Sequence, residues 1–281
     1  MSSLAPHVEQ PESRISSPND SVVTFENVEI AFDNPVLEGI SFQLTRGETK
    51  VLLGAAGTGK TLILKLALGL LRPDAGHITV LGEQVTRMRE QDLFELRRKI
   101  GMVFQESALF DSLTVEENVA YRLMEETGEL TDEIHARVLE ALRFVELEHT
   151  ANLFPSELSG GMRRRVAIAR AIITQPEILL YDSPTGGLDP VTSNTIIELV
   201  VKQRDVYQTS SLLVTHRLQD AFTMASHYFD REQNKMLPAT DGHVRDLHTK
   251  FLILREGKII FEGTATELLR CTDPYIREYL S

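Results

Sequence analysis

The richest chemistry in the sequence lies in GAAGTGKT, Gly54 to Thr61. The apolar run TKVLLG leads into it and GKTLILKLALGLL leads out, so a buried strand should enter a loop that opens a helix. The spacing fits G-x-x-x-x-G-K-[ST], with an extra glycine at Gly57. Glycines let the backbone curl until successive N–H groups face one point, a nest for an anion. The helix N-terminus adds its positive end. Lys60 is then placed to reach β- and γ-phosphates, and the Thr61 hydroxyl to ligate Mg²⁺. Gly54, Ala55, Ala56, Gly57, Thr58, Gly59, Lys60 and Thr61 are therefore expected to cradle the phosphates of ATP. The ordinary alternative is a chance match in a Gly-rich turn, and the flanking strand and helix weigh against it.

A second run, LLYDSPTGGLDP, spans residues 179–190. Ile178, Leu179, Leu180 and Tyr181 read as a buried strand with Asp182 at its tip, where a nucleotide-binding α/β fold holds a magnesium carboxylate. Alone, Asp182 would pass for a turn or capping residue. The phosphate loop upstream changes that. Ser183 follows, at a place where a hydrolase needs a general base, and a serine hydroxyl cannot take a proton at neutral pH. A third run, ELSGGMRRRVAIARAI, starts at Glu157. Ser159 is a good N-cap, and Gly160 and Gly161 at the start of a helix offer a second anion-binding end. Its ordinary reading is a capped helix with a basic exposed face.

These runs need elements to position them. VVTFENVEIAF and GISFQLTRG read as strands, and IGMVFQ, PEILLYD, SLLVTH and FLILREGKII as further strands. Pro73 and Gly76 read as turn punctuation. Residues 111–157 have helical character; Thr131 is a predicted N-cap, with Ile134, Val138, Ala141, Leu142 and Val145 on one stripe. A further helix is expected from Val191 to about Val206. Strands alternating with helices predict an α/β fold with a helix-covered parallel sheet and an inserted helical subdomain.

Composition excludes several classes. The 281 residues carry net charge −12, which disfavours nucleic acid and direct binding to anionic lipid. Cys271, the one cysteine, permits no internal disulfide, as suits a reducing cytoplasm. No apolar run reaches the length of a membrane span, and the N-terminus lacks a signal-peptide pattern. Residues 1–20, rich in Ser, Pro, Glu and Asn, are expected to be a disordered tail before one domain over 21–281.

The run Leu158-Ser159-Gly160-Gly161-Met162 resembles the signature of the ATP-binding-cassette (ABC) ATPases, which usually end it in Gln. Other motifs of that family follow in its order. Gln105 in VFQESALF matches the Q-loop glutamine, GGLDP the D-loop with Asp189, and His216 in LLVTHRLQDA the switch histidine; Phe32 sits where the family stacks an aromatic on adenine. The resemblance covers residues 22–270. It implies a P-loop NTPase (RecA-like) sheet, an N-terminal antiparallel β-subdomain and a helical signature subdomain over about 106–165. It implies catalytic roles for Gln105, Asp189 and His216 at ATP, with Thr61, Gln105 and Asp182 around Mg²⁺. It also implies a head-to-tail dimer, in which Ser159, Gly160 and Gly161 of one subunit meet the ATP of the other.

FQESALFDSLTVEENVAY, PSELSGGMRRRVAIARAI and DPYIREYLS resemble the lipid-transport ATPases of the Mla (maintenance of lipid asymmetry) and Mce (mammalian cell entry) systems. Met162 favours that branch over sugar or amino-acid importers. The resemblance implies an integral membrane permease as partner, an Mce-type substrate-binding protein reached indirectly, and a position on the cytoplasmic face of the inner membrane. Phe110, Leu113 and Val115 would dock the permease, or else be ordinary buried residues. Residues 230–250 are longer than the family's usual crossing. They read as a solvated surface loop, and His243 and His248 fit no metal spacing.

In the family the position of Ser183 normally carries Glu. A homodimer would carry the defect twice, so the expectations are a transporter ATPase with another carboxylate at the water, a pairing with an intact subunit, or slow hydrolysis with ATP still closing the dimer. A regulatory cassette that hydrolyses little, an importer ATPase for another small substrate and a ribosome- or nucleic-acid-linked ATPase are the competing classes. The last usually has two cassettes or a long coiled coil, and neither is present.

Overall fold

The computed structural model describes residues 20–239 and 248–280. The expected disordered tail lies outside them except for Asp20, whose carbonyl accepts a hydrogen bond from Arg46 N. Residues 240–247 of the long crossing, with His243, also lie outside.

Two sheets carry the fold. The first is antiparallel, in the order β2-β1-β4-β5, from β1 (Ser21–Ala31), β2 (Pro35–Thr45), β4 (Ala75–Val80) and β5 (Glu83–Gln84). The second has six strands in the order β12-β11-β3-β8-β7-β6, from β3 (Thr49–Leu53), β6 (Ile100–Val103), β7 (Ile178–Asp182), β8 (Ser210–Val214), β11 (Thr249–Arg255) and β12 (Lys258–Gly263). Within it β11, β3, β8, β7 and β6 run parallel, and β12 pairs antiparallel to β11. Residues 54–61, 105, 183 and 216 all follow C-terminal strand ends of this sheet. The parallel direction thus gathers at one edge what the sequence spreads over more than 150 residues.

Strands buried on both faces read as continuous apolar runs. Period-two alternation splits their side chains between two cores. Leu53, Val103, Leu179, Tyr181 and Leu213 pack with helices α3 (Val115–Thr127), α4 (Asp132–Phe144), α5 (Gly160–Ile172) and α6 (Pro190–Tyr207). Leu52, Ile100, Leu180, Leu212 and Leu252 pack on the other face with the antiparallel sheet and the helices α1 (Lys60–Ala67) and α2 (Glu90–Arg98). Helix α7 (Leu218–Ser226), a hairpin of β9 (His227–Asp230) and β10 (Lys235–Pro238), and helices α8 (Ala265–Arg270) and α9 (Pro274–Leu280) complete the chain. The predicted caps are present: Thr131 Oγ1 accepts from Ile134 N, and Ser159 Oγ from Met162 N. The α4 stripe is buried as its spacing requires.

Three expectations change, and one open alternative is decided. Gly76 lies inside β4 instead of in a turn; it takes φ +84° opposite an irregularity in β1, and a Cβ there would lie 2.3 Å from Asn27 O. FLILREGKII is a hairpin, because Gly257 at φ +74° turns the chain between β11 and β12. Residues 230–238 of the long crossing lie at the surface as expected, but they are part of a hairpin and not an irregular loop. The β9–β10 hairpin lies on α6, where Asp205 accepts from Phe229 N, Glu198 accepts from Met236 N, and Phe229 is buried. Of the two readings open for Val115 the buried one holds: as the first residue of α3 it faces the core beside Val119 and offers no docking surface.

Candidate functional site

The phosphate loop bends between β3 and α1 at residues whose backbone only glycine tolerates. Gly54 has φ +147°, and a Cβ there would lie 2.4 Å from Leu254 O. Lys60 folds into the loop. Its Nζ donates to Gly54 O at 2.9 Å, Ala55 O at 2.6 Å and Thr58 Oγ1 at 3.2 Å. Burial pushes the Lys60 ammonium below its ordinary pKa, against the opposing pull of Asp182. Thr61 Oγ1 lies 3.1 Å from each carboxylate oxygen of Asp182, so the P-loop hydroxyl and the β7 carboxylate meet directly. Burial raises the Asp182 pKa, with the Thr61 hydrogen bond, Lys65 and Lys60 working the other way.

Around this centre the predicted residues fall in two groups. Gln105, past β6, is exposed, and a Cβ on Gly186 would come within 3.7 Å of its Cγ, so it borders the loop after Asp182. His216, past β8, is exposed. Phe32 is 62 % exposed, an unusual state for a phenylalanine and a suitable one for stacking on a base. Ser159 and Gly160 are exposed at the start of α5, and among the described residues no hydrogen bond ties them to the phosphate loop. Gly161 has a packing reason for being glycine. A Cβ there would meet Thr192 Cγ2 of α6 at 2.4 Å.

Ser183 is buried with φ +47°, a left-handed conformation held by Ser183 N donating to Val214 O and Gly186 N donating to Ser183 O. Asp189 is an N-cap. Its carboxylate accepts from Val191 N, Thr192 N and Thr192 Oγ1, and the Thr192 hydroxyl leads the effects that hold its pKa below the ordinary aspartate value. A carboxylate so engaged is a weak base, so the geometry disfavours it as the group that activates water.

Three residues at the site carry no signal in the sequence. Tyr279, on α9, accepts a hydrogen bond from Gly54 N at 3.1 Å. Arg164, in the run Arg163-Arg164-Arg165, is buried, although such a run reads as a solvated face. Arg217, beside His216, bonds to the loop after Asp182.

Comparison with known proteins places this geometry. Residues 37–186 match the family model described as ABC transporter. The chain is 35 % identical over 278 residues to the chloroplastic protein trigalactosyldiacylglycerol 3 of Arabidopsis thaliana, covering 95 % of this chain and 76 % of that one. It is 33 % identical over 245 residues to the intermembrane phospholipid transport system ATP-binding protein MlaF of Escherichia coli (strain K12), covering 87 % and 82 %. It is 38 % identical over 246 residues to the probable ribonucleotide transport ATP-binding protein mkl of Mycobacterium leprae, covering 88 % and 64 %. Among solved structures, the dimeric post-hydrolysis state of the ATP-binding cassette MJ0796 with ADP and Pi superposes with a TM-score of 0.71 at 29 % identity, covering 86 % of this chain and 98 % of that one. The sheet, the Lys60 loop, the Asp182 strand tip and these relatives agree: the chain belongs to the ATP-binding subunits of ABC transporters, a family of ATPases.

Proposed function

We propose that the chain binds MgATP at the Lys60 loop, closes as a head-to-tail homodimer, and by closing drives a membrane permease that moves phospholipid, as in Mla/Mce-type systems. The observation that carries the binding half is the meeting of Thr61 and Asp182 beside Lys60. Mg²⁺ suits this donor set, because hard oxygens from a hydroxyl and a carboxylate are its usual protein ligands. Thr61 and Asp182 would hold it with Gln105 nearby, and the ion would neutralise charge on the phosphates. Lys60 would exchange its loop carbonyls for β- and γ-phosphate oxygens, and Phe32 would stack on adenine. In the dimer, Ser159, Gly160 and the α5 N-terminus would face the γ-phosphate from the other subunit and exclude water. His216 would hold the γ-phosphate side in place.

The lipid assignment rests on the MlaF relatives, named for intermembrane phospholipid transport. No described helix is long and apolar enough to cross a membrane, so attachment would run through the permease, at the cytoplasmic face. Phe110 and Leu113, with Phe104 and Tyr121 exposed nearby, supply apolar docking surface once Val115 is removed. An Mce-type lipid-binding protein would be an indirect partner. The mkl name favours a second reading, in which the cargo is a small soluble compound such as a ribonucleotide. Buried Ser183 and the capping role of Asp189 favour slow turnover under either reading.

The test is copurification with an integral membrane subunit, followed by reconstitution into phospholipid vesicles. ATP turnover and lipid transfer that rise together support the reading. Turnover stimulated by ribonucleotide and indifferent to lipid supports the second. No membrane subunit and no turnover would leave a regulatory cassette.

A further inference from the structure

The loop from Ser183 to Asp189 is secured by two arginines that come from different motifs. Arg164 of α5 donates through Nη1 to Ser183 O at 3.4 Å and through Nη2 to Gly186 O at 3.3 Å. The same Nη1 lies 3.3 Å from Phe104 O, the residue before Gln105. Arg217 donates through Nη1 to Thr185 O at 3.4 Å and Leu188 O at 3.2 Å. It is braced in turn by Ser193 Oγ at 2.7 Å and by Asp220, 3.5 Å from its Nε, which also accepts from Thr185 Oγ1. Four carbonyls of one seven-residue loop are thus taken by two guanidinium groups. Arg164 is 6 % exposed and Asp220 2 %.

Filling loop carbonyls could be mere packing. The origin of the two side chains argues otherwise. Arg164 stands on the helix that begins at Ser159, one turn in from the surface expected to meet the partner's nucleotide. Arg217 is the next residue after His216. Each arginine hooks one motif onto the loop that begins at Ser183: Arg164 with both prongs of its guanidinium, Nη1 on Ser183 O and Nη2 on Gly186 O, and Arg217 with Nη1 on Thr185 O and Leu188 O while its Nε faces Asp220. We propose that Arg164 and Arg217 are positioning residues that clamp this loop, so that movement of the signature helix is transmitted within the subunit to Ser183 and to His216. The proposal rests on the homodimer reading for its consequence and on the described hydrogen bonds for its existence.

Arg164→Lys keeps charge and stem and loses the two-pronged grip on Ser183 O and Gly186 O; Arg217→Lys keeps charge and stem and loses the planar group that meets the loop through Nη1 and Asp220 through Nε. Neither side chain touches the Lys60 loop, so the MgATP affinity of each variant is measured first and dimerisation is compared at equal nucleotide occupancy. Losing one such bond is typically worth about tenfold, so the amides of Gly186 and Leu188 should exchange with solvent roughly tenfold faster, and MgATP-driven dimerisation should need roughly tenfold more protein. Ser193→Ala removes the brace on Arg217 without altering the loop and should shift both readouts in the same direction, less far. Exchange at wild-type rates in both Lys variants overturns the clamp. Faster exchange with unchanged dimerisation overturns the transmission and leaves the arginines as packing. If wild type fails to dimerise with MgATP, the homodimer reading fails, and the exchange arm alone decides whether the clamp exists.

Discussion

The phenol of Tyr279 accepts a hydrogen bond from the backbone amide of Gly54, 225 residues earlier and first in the phosphate loop. Helix α9 therefore holds the first residue of the phosphate loop. Tyr279 stacks on Tyr275, which lies under the guanidinium of Arg255, and burial raises the Tyr279 pKa, so it stays a neutral phenol at physiological pH.

Tyr279→Phe should leave the fold intact and weaken MgATP binding several-fold, because one hydrogen bond to the loop is worth about 1 kcal/mol. Isothermal titration with a non-hydrolysed ATP analogue gives the affinity. Binding equal to wild type would show that Gly54 N needs no partner from α9.

Ser183→Glu should raise kcat, since a positioned general base contributes ~10²–10⁴-fold. Ser183 is buried in a left-handed backbone, so a larger side chain must turn toward the open side of the site, and the gain should fall in the lower part of that range. His216→Ala should cost little in wild type and much in the Ser183→Glu background, because groups acting as a unit are not additive. Phosphate release from wild type, both single variants and the double variant tests this. Brisk wild-type turnover that Ser183→Glu leaves unchanged would reveal another base.

Metal binding should depend on pH through Asp182. Its carboxyl is raised by burial, so at a given pH it holds its proton more than a free aspartate does. In the nucleotide-free protein, Asp182 therefore contributes stability that is fully present below the unfolded pKa and is lost as pH rises through the folded pKa. Mg²⁺ needs the carboxylate, so its binding should release a proton and weaken as pH falls toward that raised value. The increase in Tm on adding MgATP should accordingly shrink on acidification, earlier than for an exposed aspartate. Asp182→Asn should weaken Mg²⁺ binding at every pH and abolish the part of the pH dependence that Asp182 supplies.

Tyr181→Phe should stabilise the protein. The Tyr181 ring is fully buried in β7, its hydroxyl has no hydrogen-bond partner among the described atoms, and burial pushes its pKa well above the ordinary value. Removing an orphaned buried hydroxyl recovers its desolvation cost, about 1–2 kcal/mol. Urea unfolding measures the change. A loss of stability would show that the hydroxyl is satisfied after all.

Much of this protein is legible without coordinates because its signals are local. The phosphate loop, the strand ending at Asp182, the caps Thr131 and Ser159 and the α4 stripe each depend on residues within a few positions of one another, and backbone geometry translates that spacing directly into structure. The order of motifs was enough to imply the family. Other features depend on which distant segments meet. Val115 reads equally as a docking or a buried residue until α3 turns it inward, and FLILREGKII as one strand until Gly257 reverses it. Asp189 reads as a D-loop residue with a catalytic role until Val191, Thr192 and the α6 N-terminus take its oxygens. Arg164 belongs to a basic run of the kind that usually faces water, yet three carbonyls from two other loops close over it. A side chain's type limits the bonds it can make. Only tertiary packing, by burying it or leaving it in water and by bringing partners within 3 Å or so, selects which of those bonds form.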